Sequence, residues 1–352
     1  MATLKHVLAP PRYGFDRIPS SREILSEFFH RMNVVRSRKQ WLPLFGWVTT
    51  SLLAIPLTVF AFRYFSLPLL AAGFVYSMVG LGSHGTFYLH RYATHRAFRF
   101  RNPVWRFVCK NLVLKIAPEE IYVISHHVHH RYSEEAGDPY NARAGWLYCF
   151  LADVNHQPIA TDLSEPAYAR VTMLLNHCGV RLNSYAQYRV WGSLCHPGFA
   201  LLSYALNWAF WYSAFYLIGG HALATALFGS AFVWAIGVRT FNFAGHGGGK
   251  ELQGAGLDFY RGDRSINQAW PGFISGEWHN NHHLYPNGAR AGFLRYQLDL
   301  PWLFIRLLHS VGGISSYRDY KAEFMTRHYL PYLDARATPS HLDSASRAAQ
   351  RP

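Results

Sequence analysis

GFALLSYALNWAFWYSAFYLIGGHALATALFGSAFVWAIGV, residues 198–238, carries no Lys, Arg, Asp or Glu. It divides at Gly219–Gly220 into runs of 198–220 and 221–238, each long enough to cross roughly 30 Å of hydrocarbon at about 1.5 Å per helical residue. Upstream, WLPLFGWVTTSLLAIPLTVFAF (41–62) forms a comparable run. A further run begins after Arg63 and meets no charged residue until Arg91. Both pairs are joined by very short turns, near RYFS (63–66) and at the two glycines. The expectation is an all-α membrane protein with four transmembrane helices in two hairpins, at about 41–62, 67–89, 198–220 and 221–243. A cap would comprise 90–197 and 244–335, within a domain of 41–335. The low charged content, 15%, agrees with that class.

Charge orients the hairpins. Of 34 Lys and Arg, only Arg63 and Arg239 fall in the runs or their turns. The rest lie in the N-terminal arm (1–40), the 91–197 loop and the C-terminal region, which four crossings place on one side. Positive residues favour the cytoplasmic side, so both termini and the cap are expected there. The arm reads as a solvated basic flank without a signal peptide, and 336–352 as a disordered tail. The formal net charge of +14 is at home beside a membrane, and no nucleic-acid-binding signature accompanies it. Six Lys against 28 Arg favours a bacterial source, hence an inner membrane. Four scattered cysteines form no C-x-x-C pair.

The chain has 20 histidines, and its histidine clusters all fall on the cytoplasmic side of this topology. HRYATH (His90, His95) follows the second run, HHVHH (126–130) lies in the loop, and HNNHH (His279, His282, His283) follows the fourth. FNFAGH places Asn242 and His246 at the inner end of that fourth run. In a helix, positions i, i+3 and i+4 share a face, so His126, His129 and His130 point together, as do His279, His282 and His283. His90 and His95 stand about 140° apart on an α-helix, so a bend or fraying between them is expected. Nine inward imidazoles can hold two metals, and imidazole suits Zn, Cu, Fe and Ni alike. His127 points off the shared face. His84, within the second run, is either a functional intramembrane group or a helix-to-helix hydrogen bond. EFFH (27–30) reads as a solvated helix face, HPGF (196–199) as a helix start, and 105–124 as an interfacial or a buried cap helix. A non-enzymatic metal carrier or sensor is the rival class; it predicts ligands through the spans, and apart from His84 the first three lack them.

These residues resemble the membrane fatty acid desaturase family, the histidine-box di-iron enzymes, over about 67–322. HRYATHRAF, HHVHHRYSEEAGDPYN, the Asn242/His246 pair, DRSIN (263–267), HNNHHLYP and ARAGF carry the likeness, which is strongest to the Δ9 acyl-CoA and acyl-lipid branch. The resemblance implies two iron ions held by His90, His95, His126, His129, His130, His246, His279, His282 and His283, with Asn242 holding a water. It also implies O2 as co-substrate, an acyl chain in a kinked tunnel, and desaturation of a fatty acyl substrate carried by CoA, ACP or lipid, or as the free acid. No flavin or nicotinamide fingerprint is present, so an electron donor such as ferredoxin or cytochrome b5 is expected. His127, Glu277 and the stretch Ile121–Ile124 depart from the branch's pattern. Related enzymes hydroxylate, form acetylenic bonds or decarboxylate free acids to terminal alkenes, and these are the alternatives at the same site.

Overall fold

A computed structural model describes residues 7–15, 17–133, 135–156, 158–245 and 278–337. His246, the DRSIN segment, Glu277 and the C-terminal tail lie outside the described residues. Helices dominate; the described strands are β1 (Phe98–Phe100) and β2 (Ile314–Tyr317), which pair antiparallel.

The chain enters through α1 (Ser21–Arg31), started by a reciprocal cap in which the Glu23 amide donates to Ser20 Oγ and the Ser20 amide to the Glu23 carboxylate. The arm is not the solvated flank that its charge suggests. Val7 and Leu8 are buried, and the Ala160 amide donates to the Val7 carbonyl. Nor is EFFH a solvated face: Glu27 is 1% exposed and accepts from Arg12 Nε at 2.7 Å and Arg31 Nε at 2.5 Å. Two guanidiniums offset the desolvation of that carboxylate, a pairing that linear charge counting cannot see.

Among the described residues three helices are long and apolar enough to cross a membrane: α2 (Arg38–Tyr64), α3 (Leu67–Thr94), and a third run, α6, spanning Pro197–Ala244. Pro197 occupies the first turn of α6 after an extended His196, so HPGF is a helix start. The run is broken at Gly219 (φ −147°, ψ 24°) and Gly220 (φ 64°, ψ −166°). That second conformation is essentially open only to glycine. Beyond it the limbs turn back on each other. Phe215 and Phe228 have ring centroids 6.2 Å apart, and the Tyr212 hydroxyl meets His221 Nδ1 at 2.9 Å. An unbroken helix would hold residues 215 and 228 about 20 Å apart. The glycine pair is thus a hairpin turn inside one apolar run.

α2 and α3 pack against these limbs closely. A Cβ on Gly229 would meet Leu57 Cα at 2.7 Å, so the backbones touch where only hydrogen fits. The outward faces stay apolar: Phe62, Leu67, Leu217 and Ile218 are 71–89% exposed, all beside the two turns. Apolar surface of this kind needs a non-aqueous neighbour.

Between α3 and α6 lie α4 (Pro103–Lys110) and α5 (Glu119–Tyr132), followed by short helices. The 105–124 stretch is therefore two helices joined by a non-helical link. α4 exposes Val104 and Phe107 and buries Cys109 and Lys110. After α6 come α7 (His279–Leu284) and α8 (Leu300–Ser310). One apolar core joins α3, α4, α5 and α8, with Tyr88 and Tyr92 from α3, Cys109 from α4, Ile124 and Val128 from α5, and Ile305 from α8. Among the described residues the four cysteines form no disulfide with one another.

Candidate metal centre

The first histidine pair owes its geometry to a widened helix. The last ten residues of α3, Gly85–Thr94, form a π-helix, and the His95 amide donates to the His90 carbonyl at 3.1 Å. That is an i→i+5 bond, so residues five apart lie one turn apart. No bend or fraying is needed; the ring centroids of His90 and His95 are 4.9 Å apart.

HHVHH occupies the last turns of α5, where side chains at i and i+4 are neighbours. His130 Nε2 stands 3.1 Å from His126 Nε2, which is 2.7 Å from His90 Nε2. From α7, His282 Nε2 comes within 3.0 Å of His130 Nε2. With His95 these make one group of five ligand nitrogens, all within 4.8 Å of one another. A second group joins His129 to His279 and His283, whose Nε2 atoms are 3.0 Å apart. The shared faces read from the sequence are therefore divided. HHVHH sends His126 and His130 to one group and His129 to the other; HNNHH sends His282 to the first, His279 and His283 to the second.

Such spacing suits a metal. Ligands at about 2.1 Å and right angles around an ion lie roughly 3 Å apart. His95 Nε2 is buried and has no hydrogen-bond partner among the described residues. Burial, and then the neighbouring imidazoles, hold the pKa of His95, His126 and His282 well below the ordinary histidine value. The rings are thus neutral at pH 7, the form that ligates.

An outer partner orients one ring. His129 Nδ1 donates to Asp138 Oδ1 at 2.9 Å, leaving Nε2 for an ion. Asp138 is fully buried, and the same oxygen accepts from the Tyr140 amide at 2.8 Å. Asp138→Ala is expected to lower metal affinity about 10- to 100-fold, measured as metal retained against a graded chelator. Unchanged retention would leave this carboxylate with no tuning role.

The remaining candidates separate cleanly. Asn242 lines a cavity with His129 and His279. His127 joins neither group; burial and the nearby Arg96 pull its pKa down to about 4. His84 Nε2 lies 2.8 Å from the Cys109 carbonyl, outside both groups. The cavity, of about 200 Å³, also takes in His90, His126 and Tyr122, with apolar walls that include Leu81, Trp234 and Val238. Nitrogen clusters opening on an apolar cavity can bring a redox metal beside a hydrocarbon chain.

The family model for fatty acid desaturases matches residues 65–311, more than half of the chain. The chain belongs to the fatty acid desaturase family. Similar proteins include a sn-1 stearoyl-lipid 9-desaturase of Anabaena variabilis, 27% identical over 66% of this chain and 77% of its own length. A sn-1 stearoyl-lipid 9-desaturase of Synechocystis sp. is 25% identical over 75% of this chain and 76% of its own. A Delta-9 acyl-lipid desaturase 1 of Arabidopsis thaliana is 26% identical over 68% and 71%. Membership makes this chain a desaturase-type oxidoreductase, with a buried histidine cluster able to hold metal.

Two further residues of this desaturase-family site carry roles the sequence reading did not assign. Asp138 was legible only as part of a motif, not as the partner of His129. Arg91, next to His90, is 1% exposed and pairs with Asp299 at 3.0 Å. An arginine beside a candidate ligand histidine, at the point where an apolar run ends, was the available signal.

Proposed function

We propose that this chain is an O2-dependent di-iron enzyme that introduces a cis double bond into a fatty acyl chain. The observation that carries the reading is the pair of buried nitrogen groups opening on one apolar cavity. His90, His95, His126, His130 and His282 would hold one ion. His129, His279 and His283 would hold the other together with His246, and Asn242 would hold a water. Five imidazoles exceed the tetrahedral set that zinc prefers, and zinc has no redox chemistry. Iron with O2 supplies an oxidant able to take hydrogens from an unactivated methylene pair. The balance is –CH2–CH2– + O2 + 2e⁻ + 2H⁺ → –CH=CH– + 2H2O. The electrons require a donor protein such as ferredoxin or cytochrome b5.

The residues of this chain position and shield. Apolar walls around Leu81, Trp234 and Val238 exclude water and hold the chain against the nitrogens. Reading the two limbs of α6 as separate crossings makes four spans in two hairpins. The basic flanks then put the histidines and both termini in the cytoplasm, with a cap built from 90–197 and 244–335. The exposed apolar face of α4 suits the lipid interface beneath that cap.

The test is mass-spectrometric profiling of lipids, free acids and headspace gas from an aerobic bacterial host expressing the chain, beside its His282→Ala variant. New cis-alkenoyl chains that depend on His282 are expected. A volatile alkene one carbon shorter than a fed acid would overturn the reaction and keep the centre.

A further inference from the structure

In the same cavity wall, Lys110 at the end of α4 and Lys115 in the link meet Glu119 at the start of α5. Lys110 Nζ is 2.8 Å and Lys115 Nζ 3.5 Å from one and the same oxygen, Glu119 Oε1. Both lysine side chains are over nine-tenths buried. Two ammoniums against one carboxylate leave a surplus positive charge inside the protein. The adjacent Glu120 is turned elsewhere: its two oxygens accept from the Leu194 and Cys195 amides at 2.8 Å each, and burial pushes its pKa up to about 7. Uncompensated buried charge is strongly unfavourable, and burial accordingly lowers the pKa of Lys115. An anion entering this cavity would relieve that cost.

We propose that Lys110 and Lys115 seat the carboxylate of an unesterified fatty acid whose chain runs along the apolar wall to the histidines. This deepens, and rests on, the acyl-chain reading of the site. An ester or thioester offers only a neutral carbonyl, which cannot balance the charge, and a phosphate-bearing headgroup would have to reach two ammoniums whose side chains are over nine-tenths buried. The placement also sets a ruler. Glu119 and His126 lie seven residues apart on α5, about 10 Å along the helix. A saturated chain, with C–C bonds of about 1.5 Å near tetrahedral angles, advances roughly 1.3 Å per carbon. The nitrogens then face carbons some eight or nine from the acid end, which favours mid-chain oxidation over loss of the carboxyl carbon.

The experiment is equilibrium binding of hexadecanoate and its methyl ester to the metal-loaded protein in detergent, without reductant, for the parent, Lys115→Met and Lys115→Arg. The parent should bind the acid at least about tenfold tighter than the ester. Lys115→Met should erase that preference while the ligand-free melting midpoint stays level or rises, because the Lys110–Glu119 pair it leaves is neutral. Lys115→Arg should retain the preference. Equal binding of acid and ester by the parent would overturn the seat without any variant. So would a Lys115→Met protein that melts lower yet still prefers the acid, which would make the trio a structural clasp. Binding is read apart from turnover, so an acid preference without double-bond formation would count against the desaturation reading and not against the seat.

Discussion

His282→Ala is expected to abolish turnover and to lower metal content while the protein still inserts. The His282 ring is 2% exposed, and its Nε2 sits 3.0 Å from His130 Nε2 within the five-nitrogen group. Removing it takes one nitrogen from a group whose other members come from the C-terminal end of α3 and from α5. Metal affinity should fall by more than roughly a hundredfold, the upper range for losing a mere outer partner of a ligand. His130→Ala should act alike, because that ring lies between His126 and His282. The apoprotein melting midpoint, measured alongside, separates loss of metal from the cost of the cavity that truncating a buried ring leaves. Metal per chain, measured by elemental analysis on the membrane-extracted protein, is the first readout, and product formation the second. Parental values of both in both variants would sink the five-nitrogen site.

Arg91→Met should be the most damaging substitution away from the nitrogens. Arg91 Nη1 stands 3.0 Å from Asp299 Oδ1 and donates to the Ala289 carbonyl at 2.7 Å. Asp299 in turn accepts from the Ala291, Gly292 and Trp302 amides. Asn281, within α7, donates to the Ala291 carbonyl at 2.8 Å. One buried ion pair thus ties the helix bearing His90 to the loop that steadies the helix bearing His282. Removing the guanidinium strands a buried carboxylate, at a cost of about 3–5 kcal/mol. A lower melting midpoint and lower metal content should appear together. Adding Asp299→Asn should restore part of the midpoint, since the stranded charge disappears while an acceptor oxygen stays. A single variant that melts like the parent would remove the clamp.

Much of the architecture was legible along the chain because span length and charge exclusion are local properties. Four apolar runs, two short turns and flanking arginines need no knowledge of distant contacts, and Gly219–Gly220 marked its own reversal. Local patterning failed where charge was concerned. The basic arm and EFFH looked solvated because the sequence shows charges, not the Arg12 and Arg31 guanidiniums that close on Glu27.

The candidate centre divides in the same way. Residue type and spacing alone singled out the histidines, since so many polar rings have no place in an ordinary core. Which ring belongs to which group was decided only by the tertiary structure. The π-helical turn brings His95 next to His90, and α5 and α7 each contribute rings to both groups. Helical periodicity places side chains on a face to within a turn. Ligation and ion pairing depend on tenths of an ångström between segments as far apart in sequence as His130 and His282, and only packing sets that distance.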